Sequence, residues 1–271
     1  MKIDSACILE DRGILFVEGQ DAKDFLQNII TNDIEKVTEN NSCFASLLSP
    51  QGKFLFDFII IKHKKGYLID CEKGQIDELY KKLSLYKLGS DLKILNLSNE
   101  FVVVALSYEK FISMNDSQDK LGFTLKFRED AILLDPRNKK LGARLIINLE
   151  KFYLSLKKLN IKPLNQEEYY KLSYELGIVQ KNTNKLMDKI FGIECNFEEL
   201  NGIDFHKGCY VGQENTARIK LRNKLTKRLF PIRVIEGKVK EGDTIFNENL
   251  EIGKVLISED YPFAIIKFTS E

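Results

Sequence analysis

The chain has 271 residues, 41 basic and 40 acidic, with 44% hydrophobic side chains and a formal charge of +1. That length allows one large domain or two to three small ones with real cores, and the charge balance excludes a globally basic nucleic-acid binder but not a local basic patch. Five cysteines without a CxxC pair, and His63 and His206 as the only histidines, argue against a disulfide framework, a closed zinc or iron–sulfur site and an all-histidine metal site.

The N-terminus, MKIDSACILEDRG, carries acids where a secretory signal has its apolar core. The run FLFDFIII (54–61) is broken by Asp57 and too short to span a bilayer. A soluble protein of a reducing compartment, most simply the cytoplasm, is expected.

GILFV (13–17) predicts a strand, and Asp21 a cap for a helix whose apolar positions are Ala22, Phe25, Leu26, Ile29 and Ile30. The polar loop Thr31-Asn32-Asp33 follows. CFASLL (43–48) predicts a strand, Ser49-Pro50-Gln51-Gly52 a reverse turn, and Lys53 to Lys62 a second strand. After YLIDC (67–71) comes a helix at about 74–87 with Ile76, Leu79, Tyr80 and Leu83 on one face. DLKIL, FVVVAL, GFTLKF and AILL are strand-like. Paired strands around a helix indicate an α+β layer rather than a Rossmann unit.

The stretch 148–176 reads as helical. Asn148 caps a helix carrying Leu149, Phe152, Tyr153 and Leu156, and Asn165 with Glu168 opens another that Gly177 ends. From about 229, LFPIRVI, DTIF, IGKVLI and FAIIKF predict a small β-barrel or sandwich that needs a neighbour to pack on.

Chemistry concentrates in HKGCYVGQENTAR (206–218). Gly208 and Gly212 permit tight turns or close backbone approach, and Gln213 and Glu214 suit the first turn of a helix. Cys209 would then lie just before a helix N-terminus with Lys207 and His206 nearby, surroundings that stabilise a thiolate. Either Cys209 is a reactive thiol (nucleophile, or ligand for a metal or cluster) or it is a structural cysteine in a glycine-rich turn. The other cysteines read as structural, with a Cys195–Cys209 pairing as a minor alternative. Arg218, Lys220, Arg222 and Lys224 alternate with Ile219, Leu221 and Asn223, which predicts a strand with a basic outer face, extended by Lys227 and Arg228. That face would hold a polyglutamate tail or RNA phosphates, or else is simply solvated.

LNGIDFHKGCYVGQENTAR resembles the K-G-C-Y-x-G-Q-E signature of the YgfZ-type folate-binding proteins, relatives of the glycine-cleavage T-protein, an aminomethyltransferase. RGILFVEGQDAKDFLQNIITNDI, SPQGKFLFDF, DPRNKKLGAR and YELGI extend the likeness along nearly the whole chain. Gly192 stands where the family's P-x-E-x-N motif has proline, and Asn223 replaces a glycine.

The resemblance implies an α+β, T-protein-like ring of three small domains around a central folate site, with a C-terminal β-barrel-like module. Domain 1 would be split (1–50 and 137–226), domain 2 inserted (51–136) and domain 3 terminal (227–271). The implied role is tetrahydrofolate-dependent support of iron–sulfur cluster assembly or repair in client enzymes, radical tRNA-modifying enzymes included. Cys209, Lys207 and Asp57 are the implied catalytic residues, Asp57 standing at or beside the T-protein's catalytic aspartate. Glu175 matches the pterin-binding glutamate, and Tyr210, Gln213, Glu214, Arg218 and Arg222 complete the folate set. A carboxylate suits a pterin because it accepts two adjacent N–H groups. The rival readings are a glycine-cleavage-type aminomethyltransferase and a non-catalytic folate-binding scaffold.

Overall fold

The computed structural model describes residues 5–127, 130–158, 162–222 and 225–268. The side chains of Tyr153 and Leu156, and the whole of Asn223 and Lys224, lie outside the described residues.

In chain order the first elements are β1 (Ser5–Ile8), β2 (Arg12–Gly19), α1 (Ala22–Ile29), β3 (Cys43–Leu48), β4 (Phe54–His63), β5 (Gly66–Glu72), α2 (Ile76–Tyr86) and β6 (Leu92–Asn96). Next come β7 (Phe101–Leu106), α3 (Tyr108–Ile112), β8 (Thr124–Phe127), β9 (Asp130–Leu134), β10 (Ala143–Asn148), α4 (Leu149–Lys158), β11 (Lys162–Leu164) and α5 (Gln166–Glu175). The chain ends with α6 (Gln213–Leu221), β12 (Lys227–Pro231), β13 (Thr244–Asn247), β14 (Leu250–Ile257) and β15 (Phe263–Lys267).

The strands form three sheets, of order β3-β4-β5-β2-β6, β11-β1-β7-β10-β9-β8 and β12-β15-β14-β13. The architecture is mixed α/β. The described residues of the third sheet form an open antiparallel layer with β12 and β13 at its edges, in place of the expected barrel. Each expected domain boundary lies between or beside strands. Position 50/51 falls in the turn of the β3–β4 hairpin, and 136/137 falls between β9 and β10, which pair directly. Position 226/227 falls at the start of β12.

Alternation along β4 explains how the layers stack. Phe58 and Ile60 pack on the side of α1 and α2, while Ile59 and Ile61 join the central core with Phe44 of neighbouring β3 and with Val103 and Ile146 of the facing sheet. A strand covered on both faces reads as a continuous apolar run, which is why FLFDFIII shows little polar alternation. Asp57 shares the parity of Ile59 and Ile61 and so faces the central core. On the outer face of the six-stranded sheet, Phe111 and Phe152 cover Val104, Leu145 and Ile147.

Several local expectations change. Asp21 occupies the N-cap of α1 without capping it, because its carboxylate accepts from the Asp91 N–H at 2.7 Å. Tyr80 is 40% exposed instead of sharing the buried stripe of α2. Between the two helices expected in 148–176 the structure adds a short strand, β11, which pairs in parallel with β1. Asn148 and Asn165 accept from the backbone two residues on, at 2.9 and 3.0 Å, and initiate α4 and α5. No helix among the described residues is long and apolar enough to cross a membrane.

Candidate functional site

A narrow pocket opens where the sheets meet. Phe44 of β3, Phe54 and Asp57 of β4 and Leu229 of β12 line it, with Phe197 and Cys195 from the loop region after α5. Ile178 and Thr183 close it from the segment that follows Gly177. Three phenylalanine rings thus surround a single carboxyl. Burial pushes Asp57 up to about 6 and Glu72 adds to the shift, while Arg12, Arg137 and Arg144 oppose it. Glu72 is itself committed, accepting from the Asn182 and Thr183 N–H groups at 2.7 and 3.0 Å.

Behind Asp57 lies a buried charge network that sequence reading missed. Arg12 Nε donates to Asp70 at 2.7 Å, and Arg144 pairs with the other oxygen of Asp70. Arg137 holds both oxygens of Asp135, at 3.0 and 2.7 Å, and Arg144 Nε lies 3.3 Å from Asp135. Tyr169 and Gln180 take further guanidinium hydrogens. Burial alone would raise both aspartates, but the arginines hold them below the usual carboxylate range. Three cations face two anions, so the network carries one positive charge that an ionised Asp57 would balance. The missed signal was period-two parity. Arg12, Asp70 and Arg144 sit at the inward positions of their strands with Ile14, Leu68 and Ile146.

The Cys209 loop is built differently. Lys207 is buried, and its ammonium donates to the carbonyls of Gln27, Ile30 and Asn32 at 2.6, 2.8 and 2.8 Å, around the C-terminal end of α1. Burial moves this ammonium down to about 8, opposed by Asp33 and Asp204 among others. Its hydrogens are therefore spent on α1, not on a neighbouring thiolate as the sequence suggested. Tyr210 is buried as well, its phenol pushed up to about 12 chiefly by burial, and the Val211 N–H donates to Asn28 O at 3.2 Å.

Gly212, the N-cap of α6, adopts φ +83°, and a Cβ there would lie 2.5 Å from Ser49 O and 2.9 Å from Leu48 Cβ. Gly52 faces it, and Asn215 donates to Gln51 O at 2.8 Å. The SPQG turn and the cysteine loop, far apart in sequence, thus interlock through their glycines. Gly208 and Cys209 bulge outward and are exposed, with nothing within 4 Å of where a Gly208 Cβ would stand.

The other cysteines are all buried, and none of them is in a disulfide. Burial raises Cys7 to about 11 and Cys43 and Cys71 to about 12, and holds Cys195 well above the ordinary thiol value. Cys195 lines the pocket, its thiol directed at Phe191 O at 3.6 Å, and forms no disulfide with Cys209.

The expected basic strand is mostly helix. α6 runs through Leu221, with Arg222 as its C-cap, so Arg218 and Lys220 lie on a helix surface. Lys220 pairs with Glu198, and Arg228, in β12, pairs with Glu199. The two-residue alternation misled because a solvent-facing helix with only Thr216 buried has too weak an apolar stripe to reveal its period. Glu175 is exposed at the end of α5, outside the pocket lining. Glu214 and Arg218 are exposed and Gln213 is half-buried. The site residues named from sequence therefore fall into three places: Asp57 in the pocket, Glu175 at the end of α5, and the Lys207–Arg222 stretch around the loop.

Residues 11–107 match the GCVT N-terminal domain. Over 267 residues the chain is 28% identical to an iron-sulfur cluster assembly factor IBA57 homologue of Dictyostelium discoideum, covering 89% of this chain and 65% of that protein. A homologue from Neurospora crassa is 30% identical, with 86% of this chain and 54% of that protein covered. The mouse factor is 27% identical, at 84% and 66%. The chain spans between half and two thirds of the length of these relatives. Its fold is similar to the glycine cleavage system aminomethyltransferase T of Bartonella henselae, with a TM-score of 0.74 over 97% of this chain and 78% of that one at 14% identity. The names of the three relatives place them in mitochondria, which overturns the cytoplasmic expectation drawn from the acidic N-terminus.

Proposed function

We propose that the protein is a tetrahydrofolate-binding factor of the YgfZ type that supports assembly or repair of iron–sulfur clusters in client enzymes, radical tRNA-modifying enzymes among them. The observation that carries this reading is the presentation of Cys209. It is the exposed cysteine of the five, on a loop clamped by Lys207, Tyr210 and Gly212, and its relatives over most of the chain are named as cluster assembly factors. An exposed thiol on a fixed base can meet iron, a cluster or a partner's thiol without the scaffold moving.

Asp57 offers an acceptor for the N–H groups of a reduced pterin, but the Phe44, Phe54 and Phe197 rings pack on one another and leave about 20 Å³, room for a water, so a pterin would enter only by parting them. In this reading the parts of the chain form a ring about the pocket, Glu175 approaches the pterin from the end of α5, and Arg218 and Arg222 face the folate carboxylates. Lys207, Tyr210, Gln213 and Glu214 shape the loop. A bound folate would supply a nitrogen able to carry a one-carbon unit. Asp57 favours one alternative, an aminomethyltransferase in which that carboxyl orients an amine, whereas the cysteine in the K-G-C-Y-x-G-Q-E loop favours the cluster role.

The test is complementation of cells lacking the factor, scored on a cluster-dependent tRNA modification, beside calorimetric titration with tetrahydrofolate. Cys209→Ser is expected to fold and bind folate yet fail to complement. Glu175→Gln is expected to weaken folate about tenfold or more, since a charge-assisted hydrogen bond contributes roughly 1.5–3 kcal/mol. Full complementation by the serine variant would return Cys209 to a structural role and leave a folate-binding scaffold.

A further inference from the structure

A second cavity, of about 780 Å³, lies on the far side of the pocket wall. The wall is a short antiparallel ribbon in which Phe54 N donates to Ile190 O at 2.9 Å, Asp188 N to Phe54 O at 2.9 Å and Gly192 N to Gly52 O at 3.1 Å. Phe54 lines the inner pocket, whereas its neighbour Lys53 lines the outer cavity. The opposite side is the face of the terminal sheet, with Val255 and Ile265 as apolar floor.

Lys53, Lys189, Lys227 and Lys254 line this cavity against Glu194 and Glu241, four cations to two anions. Glu194 is occupied by the Phe191 N–H at 2.7 Å. Glu241 reaches in from the loop before β13 and is held between Lys185, at 3.0 Å, and Lys189. The protein's own acidic loop therefore shows how a carboxylate is received here. Lys53 lies 3.9 Å from the centroid of the Phe191 ring. Lys227 and Lys254 have no ion-pair partner among the described residues.

We infer that this cavity is a second binding site, separate from the inner pocket, for an extended acidic segment of a partner protein that places carboxylates on Lys227 and Lys254 and an apolar side chain on the floor between them. Charge complementarity selects an anion, and the apolar floor selects one with hydrophobic side chains among its charges. The donor set selects carboxylate over phosphate. No arginine is among the described lining residues to give a bidentate fork, and at the short 3-10 turn Gly192–Cys195 that starts in the lining the Phe191 and Gly192 N–H groups are already taken by Glu194 and Gly52 O. The ribbon separates this ligand from anything bound beside Asp57.

The experiment is fluorescence anisotropy with a fluorescein-labelled Asp-Glu-Phe-Asp-Glu-Leu peptide, with Asn-Gln-Phe-Asn-Gln-Leu as the neutral control. The acidic peptide is expected to bind, and the Lys227→Gln/Lys254→Gln protein is expected to bind about tenfold more weakly with a shallower salt dependence. The single Lys254→Glu variant, at an exposed position, provides a second reading that leaves the fold untouched, and should lose at least as much. Melting curves establish that both variants are folded. Equal binding of the neutral peptide, no binding of the acidic one, or unchanged affinity in both variants would overturn the assignment. Displacement by pyrophosphate at lower concentration than by unlabelled peptide would assign the cavity to a phosphate ligand instead.

Discussion

The pocket around Asp57 and the loop around Cys209 hold their reactive groups in opposite ways. Asp57 is set among phenylalanine rings with Arg12, Arg137 and Arg144 behind it, so its charge is governed by burial and by a network it does not belong to. Cys209 stands in solvent, and everything that fixes it lies beneath, in Lys207, Tyr210 and the glycine contact with the SPQG turn. The first arrangement tunes the group electrostatically, and the second only places it. Substitutions should therefore act on stability and pH dependence in the pocket, and on accessibility in the loop.

The largest effect is expected from the network. Arg144→Met removes the guanidinium shared by Asp70 and Asp135 and leaves charge buried without its partner, so denaturant unfolding should show a loss of about 3–5 kcal/mol. A loss below about 1 kcal/mol would mean that solvent reaches these groups and that the contrast with the loop is overstated.

Within the loop the two glycines should separate cleanly. Gly212→Ala forces a side chain into a positive-φ position against Ser49 and Leu48, at a cost of about 1–3 kcal/mol. Gly208→Ala meets nothing and should stay within about 0.5 kcal/mol of the parent. Paired melting curves decide it, and equal losses would show that the loop is not clamped on one side only.

A pH-dependent difference is the most diagnostic for Asp57. Its folded-state value of about 6 lies above the ordinary 3.8, so the folded protein holds the proton more tightly between those values. The favourable contribution is complete below the ordinary value and is lost as pH rises through about 6. Asp57→Asn should therefore match the parent near pH 3.5 and be the more stable by about 1–2 kcal/mol at pH 7, a magnitude that follows from roughly 1.4 kcal/mol per pH unit with allowance for partial solvent access. A stability difference that does not change with pH would remove the carboxyl from its dry setting.

Much of this was legible in the residues themselves. The helical spacing of Ala22, Phe25, Leu26 and Ile29 gave α1, the Pro-Gly turn gave the β3–β4 hairpin, and the asparagine caps opened α4 and α5, because each is a local preference of the backbone. The chemistry crowded into HKGCYVGQENTAR was visible for the same reason, as was the oddity of a carboxylate inside FLFDFIII.

Tertiary structure decided what those signals were for. Whether Lys207 faces a thiol or a helix end depends on α1, which the chain left some 180 residues earlier, and the period of a stretch does not record such a contact. The polar run Arg218 to Arg222 took helical form because α6 starts at Gly212 on the SPQG turn. Arg12, Asp70, Asp135 and Arg144 became one network only when two sheets packed face to face. Local sequence sets the backbone each residue prefers, but desolvation and charge pairing depend on which surfaces meet, and that is settled by long-range packing.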